Sequence, residues 1–283
     1  MLEGESILCF APDPWTAIWR NRHHLLTILA EGNRVMYVEP RTYLRETLAR
    51  LRAGPAEWPS LRRAQATEVR PNLWVFHNLD WAPVSGRFPL RQVTAAFRNG
   101  ALRAEMRRLG FDRPILWLCR PEMGDLLGQF NEKLTLYHVV DEYSAYEGVA
   151  DRAALQARER ELLRRADLVI CTAPALWESK RPYNPNTHLL PNAVDYERFA
   201  AVVDAGGPPP ADLAALPSPR VGYVGAINAK LDLGWLDYLA EAHPEWTLAL
   251  VGPVDVTERD AALRALRGRP NVHFLGQKPV EEV

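Results

Sequence analysis

The chain holds only three cysteines in 283 residues, Cys9, Cys119 and Cys171. Their separations suit neither a zinc site nor a disulfide framework, and each falls inside a run that reads as a buried strand. They read as small core residues in a reducing compartment. Long apolar runs are missing as well, since none approaches the roughly 18 residues that a membrane-spanning helix requires. The start, MLEGESILCF, carries acid where a secretory leader carries base, which predicts an uncleaved, cytoplasmic N-terminus. Net charge is nearly absent, at −1. With 47% hydrophobic and 24% charged residues, the composition excludes disorder and coiled coil and suits a soluble chain of two ordinary domains.

The small net charge conceals a strong asymmetry. Residues 41–120 hold fifteen Arg and six acids, a balance of +9, whereas residues 121–283 hold sixteen Lys/Arg and twenty-four acids, a balance of −8. Such separation speaks of partners rather than fold. The basic part suits anionic lipid headgroups or a phosphate-bearing substrate, and it equally suits solvated helix faces rich in Arg. No nucleic acid partner is expected.

Short apolar runs recur at SILCFA, RVMYVE, LWVFHN, ILWLC, LTLYHVV and DLVICTA, most of them separated by segments with helical apolar spacing. That alternation predicts a parallel sheet covered by helices. Between the first two runs, Trp19, Leu25, Leu26 and Leu29 mark one helical face that ends at Gly32. A second helix over 91–109 places Val93, Phe97, Ala101, Met106 and Leu109 on an apolar stripe, with Arg98, Arg103, Arg107 and Arg108 elsewhere. A third, Arg152 to Ala166, leads into DLVICTA.

From Ala205 to Pro219 five prolines and two glycines break both regular structures. The domain boundary is therefore placed near residue 203, giving domains 1–203 and 204–283. Beyond it VGYVG, TLALVG and NVHFLG read as strands closed by glycine, with helices at Leu233 to Ala242 and Thr257 to Arg267. In open α/β sheets ligands sit outside the carboxyl ends of strands, so a substrate cleft is expected near the turn that begins at Gly225. Only about 64 residues follow Pro219, room for roughly three strands and two helices, so the second domain reads as incomplete.

In order, FAPDPWTAIWRNRHHL with RVMYVEP, LTLYHVVDEYSAYEG, RRADLVICTA, LPNAVDYERF, GYVGAINAKLDL, and ALVGP with NVHFLG resemble glycosyltransferases of the GT-B type, close to bacterial members of family four. The pieces span nearly the whole chain, and their order is more specific than any one of them. The resemblance implies two Rossmann-like domains and transfer of a sugar, with retention, from a nucleoside-diphosphate donor held by the second domain. The acceptor, an envelope or exopolysaccharide saccharide or its lipid-linked form, would be held by the first. No metal and no cofactor beyond the nucleotide-sugar substrate is implied, and peripheral contact with an anionic membrane is compatible. The family continues past LGQKPVEEV into a Glu-x7-Glu pair that holds the donor, so the chain reads as a C-terminally truncated fragment. A nucleotide-sugar epimerase of the same architecture, or a non-catalytic partner subunit, are the alternatives.

The residues agree with a donor site at the second domain. A glycine turn lets backbone N–H groups approach a diphosphate, the next helix N-terminus adds partial positive charge, and Lys230 can neutralise a phosphate oxygen. Gly225, Asn228 and Lys230 are the donor candidates, with Gly252 and Gly276 bordering the nucleoside. Asp232 can also pair with Lys230. On the acceptor side Asp141 and Glu142 end the LTLYHVV strand. Asp141 is the catalytic candidate, as a carboxylate that binds sugar hydroxyls or supports an oxocarbenium-like transition state, and it reads equally as a helix N-cap. Arg22, His23 and His24 open the first helix, and the acceptor candidates there are Arg22 and His23, although adjacent positions cannot share a helix face. Arg120, closing ILWLC, is a further acceptor candidate or one half of a structural salt bridge.

Overall fold

The computed structural model describes residues 2–54, 64–146, 148–228, 230–256 and 260–279. The chain forms two compact units, Met1–Val194 and Asp195–Val283. The division precedes the Pro/Gly spacer because a helix, Tyr196–Ala205, stands between the boundary and the spacer. The spacer is thus a connection within the second unit.

The first unit runs β1 (Ser6–Phe10), α1 (Asn21–Leu29), β2 (Arg34–Val38), α2 (Leu44–Ala53), β3 (Gln65–Arg70), β4 (Leu73–His77), α3 (Leu90–Leu109), β5 (Ile115–Leu118), β6 (Leu134–Val139), α4 (Arg152–Arg165), β7 (Leu168–Cys171), α5 (Pro174–Lys180) and β8 (Thr187–Leu189). Its eight strands are ordered β3-β4-β2-β1-β5-β6-β7-β8, all parallel except the β3–β4 pair. The six expected strands are all present. β3 and β8 were not anticipated, because QATEVR is polar and largely exposed and THL is three residues long.

Successive residues of a strand point to opposite faces, and both faces here are covered, which is why these strands read as unbroken apolar runs. Leu8, Phe10, Met36 and Val38 pack with Leu102, Met106, Leu162 and Leu163 on one face. Ile7, Cys9, Val35 and Tyr37 pack with Leu26 on the other. Full burial of a side chain such as Leu8 or Leu116 contributes about 2 kcal/mol. All three cysteines are free and buried.

Two helices differ from expectation. α1 ends at Leu29 rather than at Gly32, and the Asn33 side chain donates to the Leu29 carbonyl at 2.8 Å, so an asparagine closes the last turn. Of its expected apolar face, Trp19 precedes the helix and Leu25 is exposed. On α3 the buried residues are Thr94, Arg98, Asn99, Leu102 and Met106, while Val93 and Phe97 face outward. The cause is Arg98, whose Nη1 donates to the carbonyls of Ala82 at 2.7 Å and Pro83 at 2.8 Å and so turns that side of the helix inward. Phe97 instead meets Trp81 edge-on at 5.3 Å on the surface.

The second unit comprises α6 (Tyr196–Ala205), α7 (Ala211–Ala214), β9 (Arg220–Val224), β10 (Ile227–Asn228), α8 (Leu233–Ala242), β11 (Thr247–Val251), β12 (Val254–Asp255), α9 (Ala261–Arg267) and β13 (Val272–Gly276). β13-β11-β9 form a parallel sheet, and β10 pairs with β12 in parallel. α8 has the expected span, capped by Asp232 Oδ1, which accepts from Trp235 N at 3.0 Å. α9 is capped by Asp260; the Thr257 start expected for it lies outside the described residues. Leu248, Leu250, Leu263 and Leu266 form the centre of this unit's core.

Candidate functional site

In the second unit, three parallel strands each end at a glycine. β9 and β13 flank β11, so Gly225, Gly252 and Gly276 form one row along the carboxyl edge of the sheet. Gly225 N donates to Val251 O at 2.9 Å, and Gly252 N donates to Gly276 O at 2.8 Å. These two amides are therefore committed to neighbouring carbonyls, which for Gly225 corrects the expectation that its N–H faces a diphosphate. What the glycines allow is close approach of one turn to the next. A Cβ on Gly252, whose φ is +144°, would lie 1.9 Å from the Gly225 carbonyl oxygen. Only glycine lets these two turns approach so closely.

Past the row, Asn228 ends β10, and its Oδ1 accepts from Lys230 N at 3.0 Å, which folds the turn that leads into α8. Lys230 is exposed at that turn. Asp232 is held by its cap bond to Trp235 N, the role its place before α8 dictates. A lysine ammonium next to the partly positive start of a ten-residue helix is an arrangement that favours an anion.

In the first unit, the segments after β1, β5 and β6 carry the other candidates. Asp141 follows β6 and is half-buried, and its Oδ2 accepts from the Tyr146 hydroxyl. The Tyr146 pKa is pushed up to about 12 by burial and then by Asp141. Arg120 lies over the Tyr143 ring at 4.4 Å and reaches Glu122 at 3.3 Å, a salt bridge that leaves its side chain 30% exposed. Asp141 does not cap a helix by its side chain; the short 3-10 turn at Tyr143–Ala145 follows Glu142 without such a bond.

Three acceptor candidates are placed otherwise than expected. His23 is fully buried among Trp15, Trp19 and Tyr37. Its Nδ1 accepts from Arg20 N at 3.0 Å, so the ring proton sits on Nε2, 3.3 Å from the Tyr37 hydroxyl, which itself donates to Asp13 O at 2.7 Å. Burial and then the Arg22 charge lower its pKa, and the neutral ring serves as a linchpin of the loop after β1. Arg22 is buried as well, with Nη2 on Asp13 Oδ2 at 2.7 Å. Glu142 is bound by Lys180 Nζ at 2.6 Å and by Ser144 Oγ at 2.8 Å. Burial alone would raise its pKa, but those hydrogen bonds outweigh burial and lower it. None of these three presents a free polar group outward in the way Arg20 does, whose side chain is 62% exposed and 3.4 Å from Asp13.

Sequence reasoning passed over Asp13, Arg20 and Tyr146. Each lies in a segment carrying the resemblance, and Asp13 sits in a Pro-flanked loop directly after a buried strand, which is a readable signal. Asn21 Nδ2 donates to Asn192 Oδ1 at 2.6 Å, tying the start of α1 to the segment after β8. Among the described residues no group of three or more His, Cys, Asp or Glu side chains is arranged to hold a metal ion. No described helix is long and apolar enough to cross a membrane.

His138 on β6 is buried against Trp117, and burial and then the Arg22 charge pull its pKa down to about 4. Between pH 6.5 and 4 the unfolded chain therefore binds a proton that the native state refuses, and stability falls as pH falls. For this group alone the loss is about 3 kcal/mol by pH 4. Urea midpoints at pH 7 and pH 4 should separate less in His138→Phe than in the wild-type protein. Equal separations would refute the assignment.

Two α/β units whose parallel strands deliver the candidate residues at their carboxyl ends define the two-Rossmann-unit architecture of the GT-B class. The chain is 29% identical over 136 residues to the Bacillus subtilis (strain 168) protein named as a teichuronic acid biosynthesis glycosyltransferase, TuaH. That stretch is 47% of this chain and spans about a third, 34%, of TuaH. Sucrose-phosphate synthase from Thermosynechococcus elongatus superposes with a TM-score of 0.60 at 17% identity, over 97% of this chain and 71% of that one. The trehalose-6-phosphate enzyme of E. coli bound with UDP-2-fluoro glucose gives 0.55 at 12%, over 98% and 75%. Anabaena HepE in complex with UDP gives 0.54 at 14%, over 97% and 69%. These solved structures share the fold, as the sequence resemblance implies. No family model matches the chain.

Proposed function

We propose that this chain is a glycosyltransferase of bacterial envelope or exopolysaccharide synthesis. It moves a sugar, with retention, from a nucleoside-diphosphate donor to a saccharide or lipid-linked saccharide acceptor. The observation that carries this reading is the glycine row ending beside Asn228 and Lys230 at the start of α8. Gly276 leaves open space for the nucleotide beside the closely apposed turns of Gly225 and Gly252, and Lys230 with the α8 N-terminus supports the departing diphosphate, so no metal ion is needed. Asp141, oriented by Tyr146, with Arg120 and Arg20, receives the acceptor. The TuaH match and the UDP-bound relatives of the same fold support the donor class and the pathway class. The protein acts in the cytoplasm, with the basic residues 41–120 able to meet an anionic inner membrane surface.

The test is incubation of the protein with UDP- and GDP-sugars and lipid-linked saccharide acceptors, followed by separation of products. Transfer to acceptor is expected, whereas isomerised donor without acceptor would replace the reading with an epimerase. Lys230→Ala should lower turnover about 100-fold. Because Lys230 is exposed, its melting temperature should stay within about 1 °C of the wild-type value. An unchanged rate would remove Lys230 from the mechanism.

A further inference from the structure

The first unit contains a cavity of 960 Å³ between α3, α4 and the 3-10 turn Pro121–Leu126. Six arginines line it: Arg41, Arg91, Arg98, Arg103, Arg158 and Arg165. Three carboxylates line it as well, and each is already engaged. Asp125 binds Arg41 at 2.9 Å, Glu122 binds Arg120 at 3.3 Å, and Glu161 lies 3.9 Å from Arg165. Among the described residues this leaves Arg91, Arg98, Arg103 and Arg158 without a carboxylate.

Arg98 is the informative member. It is 5% exposed, its Nη1 is satisfied by two carbonyls, and its Nε has no hydrogen-bond partner. A buried guanidinium is costly unless its charge is met; Arg41 adds a like charge, and Asp125, already bound to Arg41, offsets it only in part. Burial and then Arg41 pull the Arg98 pKa down to about 10. Arg98 adds positive charge at the cavity wall, and the planar fork of each of the other unpaired arginines matches phosphate oxygens two at a time.

We infer that this cavity is a binding site for a phosphate group carried by a larger molecule. The volume exceeds what a bare ion fills and suits a phosphate attached to a saccharide or to a lipid. One rim, the segment that supplies Ser85, Gly86 and Arg91, also exposes Phe88, Leu90 and Val93, so a lipid-borne phosphate has apolar surface to rest on. The site includes none of Asp141, Arg120 or the glycine row, and it stands whether or not the chain transfers sugar.

The experiment is thermal unfolding of the full chain with inorganic pyrophosphate against sodium chloride at equal ionic strength, alongside sedimentation with phosphatidic acid vesicles or neutral phosphatidylcholine vesicles. A soluble phosphate ligand is indicated by a pyrophosphate shift of about 3 °C or more. A lipid ligand is indicated by binding to phosphatidic acid vesicles alone, weakened by Phe88→Ser. All variants are compared in the Lys230→Ala background, so that a diphosphate held by the second unit does not contribute: there the Arg91→Ala/Arg158→Ala variant must lose the effect, while Arg107→Ala, exposed on α3 outside the cavity, must keep it. Both arginines are exposed, so the double variant should fold, as circular dichroism will show. Absence of both effects in the wild-type protein, or their survival in the double variant, would overturn the inference.

Discussion

Replacement of Gly252 by alanine should unfold or severely loosen the second unit and abolish nucleotide binding. The added Cβ would sit 1.9 Å from the oxygen and 2.7 Å from the carbonyl carbon of Gly225, and both are backbone atoms that no rotamer change can move. Relief requires the two turns to part, which breaks the Gly225 N to Val251 O and Gly252 N to Gly276 O bonds, and the φ of +144° adds strain of its own. The combined cost is on the order of 3–5 kcal/mol, a large share of the stability of so small a unit. Gly276→Ala is the matched control, since nothing lies within 4 Å of its would-be Cβ; with a φ of +74° it should cost about 1 kcal/mol. Gly225→Ala should fall between them, because the atom it meets is the movable Tyr223 hydroxyl. Denaturant midpoints and binding of a fluorescent UDP analogue give the ranking. If Gly276→Ala proves as damaging as Gly252→Ala, the close-approach explanation fails.

Lys180→Met should destabilise the first unit by about 3–5 kcal/mol, the usual result of removing one partner from a buried ion pair. Lys180 Nζ binds Glu142 Oε2 at 2.6 Å and Glu159 Oε2 at 2.8 Å, and the Tyr137 hydroxyl donates to the other Glu159 oxygen at 2.9 Å. Lys180 and Glu159 are both buried, so loss of the ammonium leaves Glu159 facing Glu142 with little solvent. Burial by itself lowers the Lys180 pKa, but the two carboxylates prevail and raise it. The stabilisation is accordingly full below the ordinary lysine range and is lost only at strongly alkaline pH. For a unit of this size the melting temperature should drop by roughly 10 °C. The compensating Lys180→Met/Glu159→Gln variant should recover more than half of the loss, because it removes the uncompensated charge. Failure to recover would mean that packing of the lysine stem, not its charge, holds the network. The same lesion should weaken the acceptor use proposed for Asp141, since Glu142 anchors the segment that carries it.

Much of the fold was legible in local pattern. Six apolar runs of the first unit became strands of one sheet, and α8 has its expected span, because a strand buried on both faces must be apolar throughout and a capped amphipathic helix announces its ends. The glycine-closed strands of the second unit were equally visible, and the sheet order brings those three glycines side by side. The site was less legible. His23 and Arg22 stand where a ligand contact is expected, at the opening of the first helix after the first strand, yet Trp15, Trp19, Tyr37 and Asp13 enclose them. On α3 a stripe chosen by hydrophobicity placed Phe97 inside and Arg98 outside, and the reverse is found.

By itself, the sequence determined the alternation of strands and helices, the glycine at each strand end of the second unit and the excess of arginine in residues 41–120. All of these follow from local periodicity and composition. Tertiary structure alone decided which polar groups are withdrawn: Arg98 toward Ala82 and Pro83, Glu142 toward Lys180, His23 toward Tyr37. Burial of a charge or an imidazole is favoured where partners from other elements meet most of its hydrogen bonds, and those meetings exist only once the sheet has assembled.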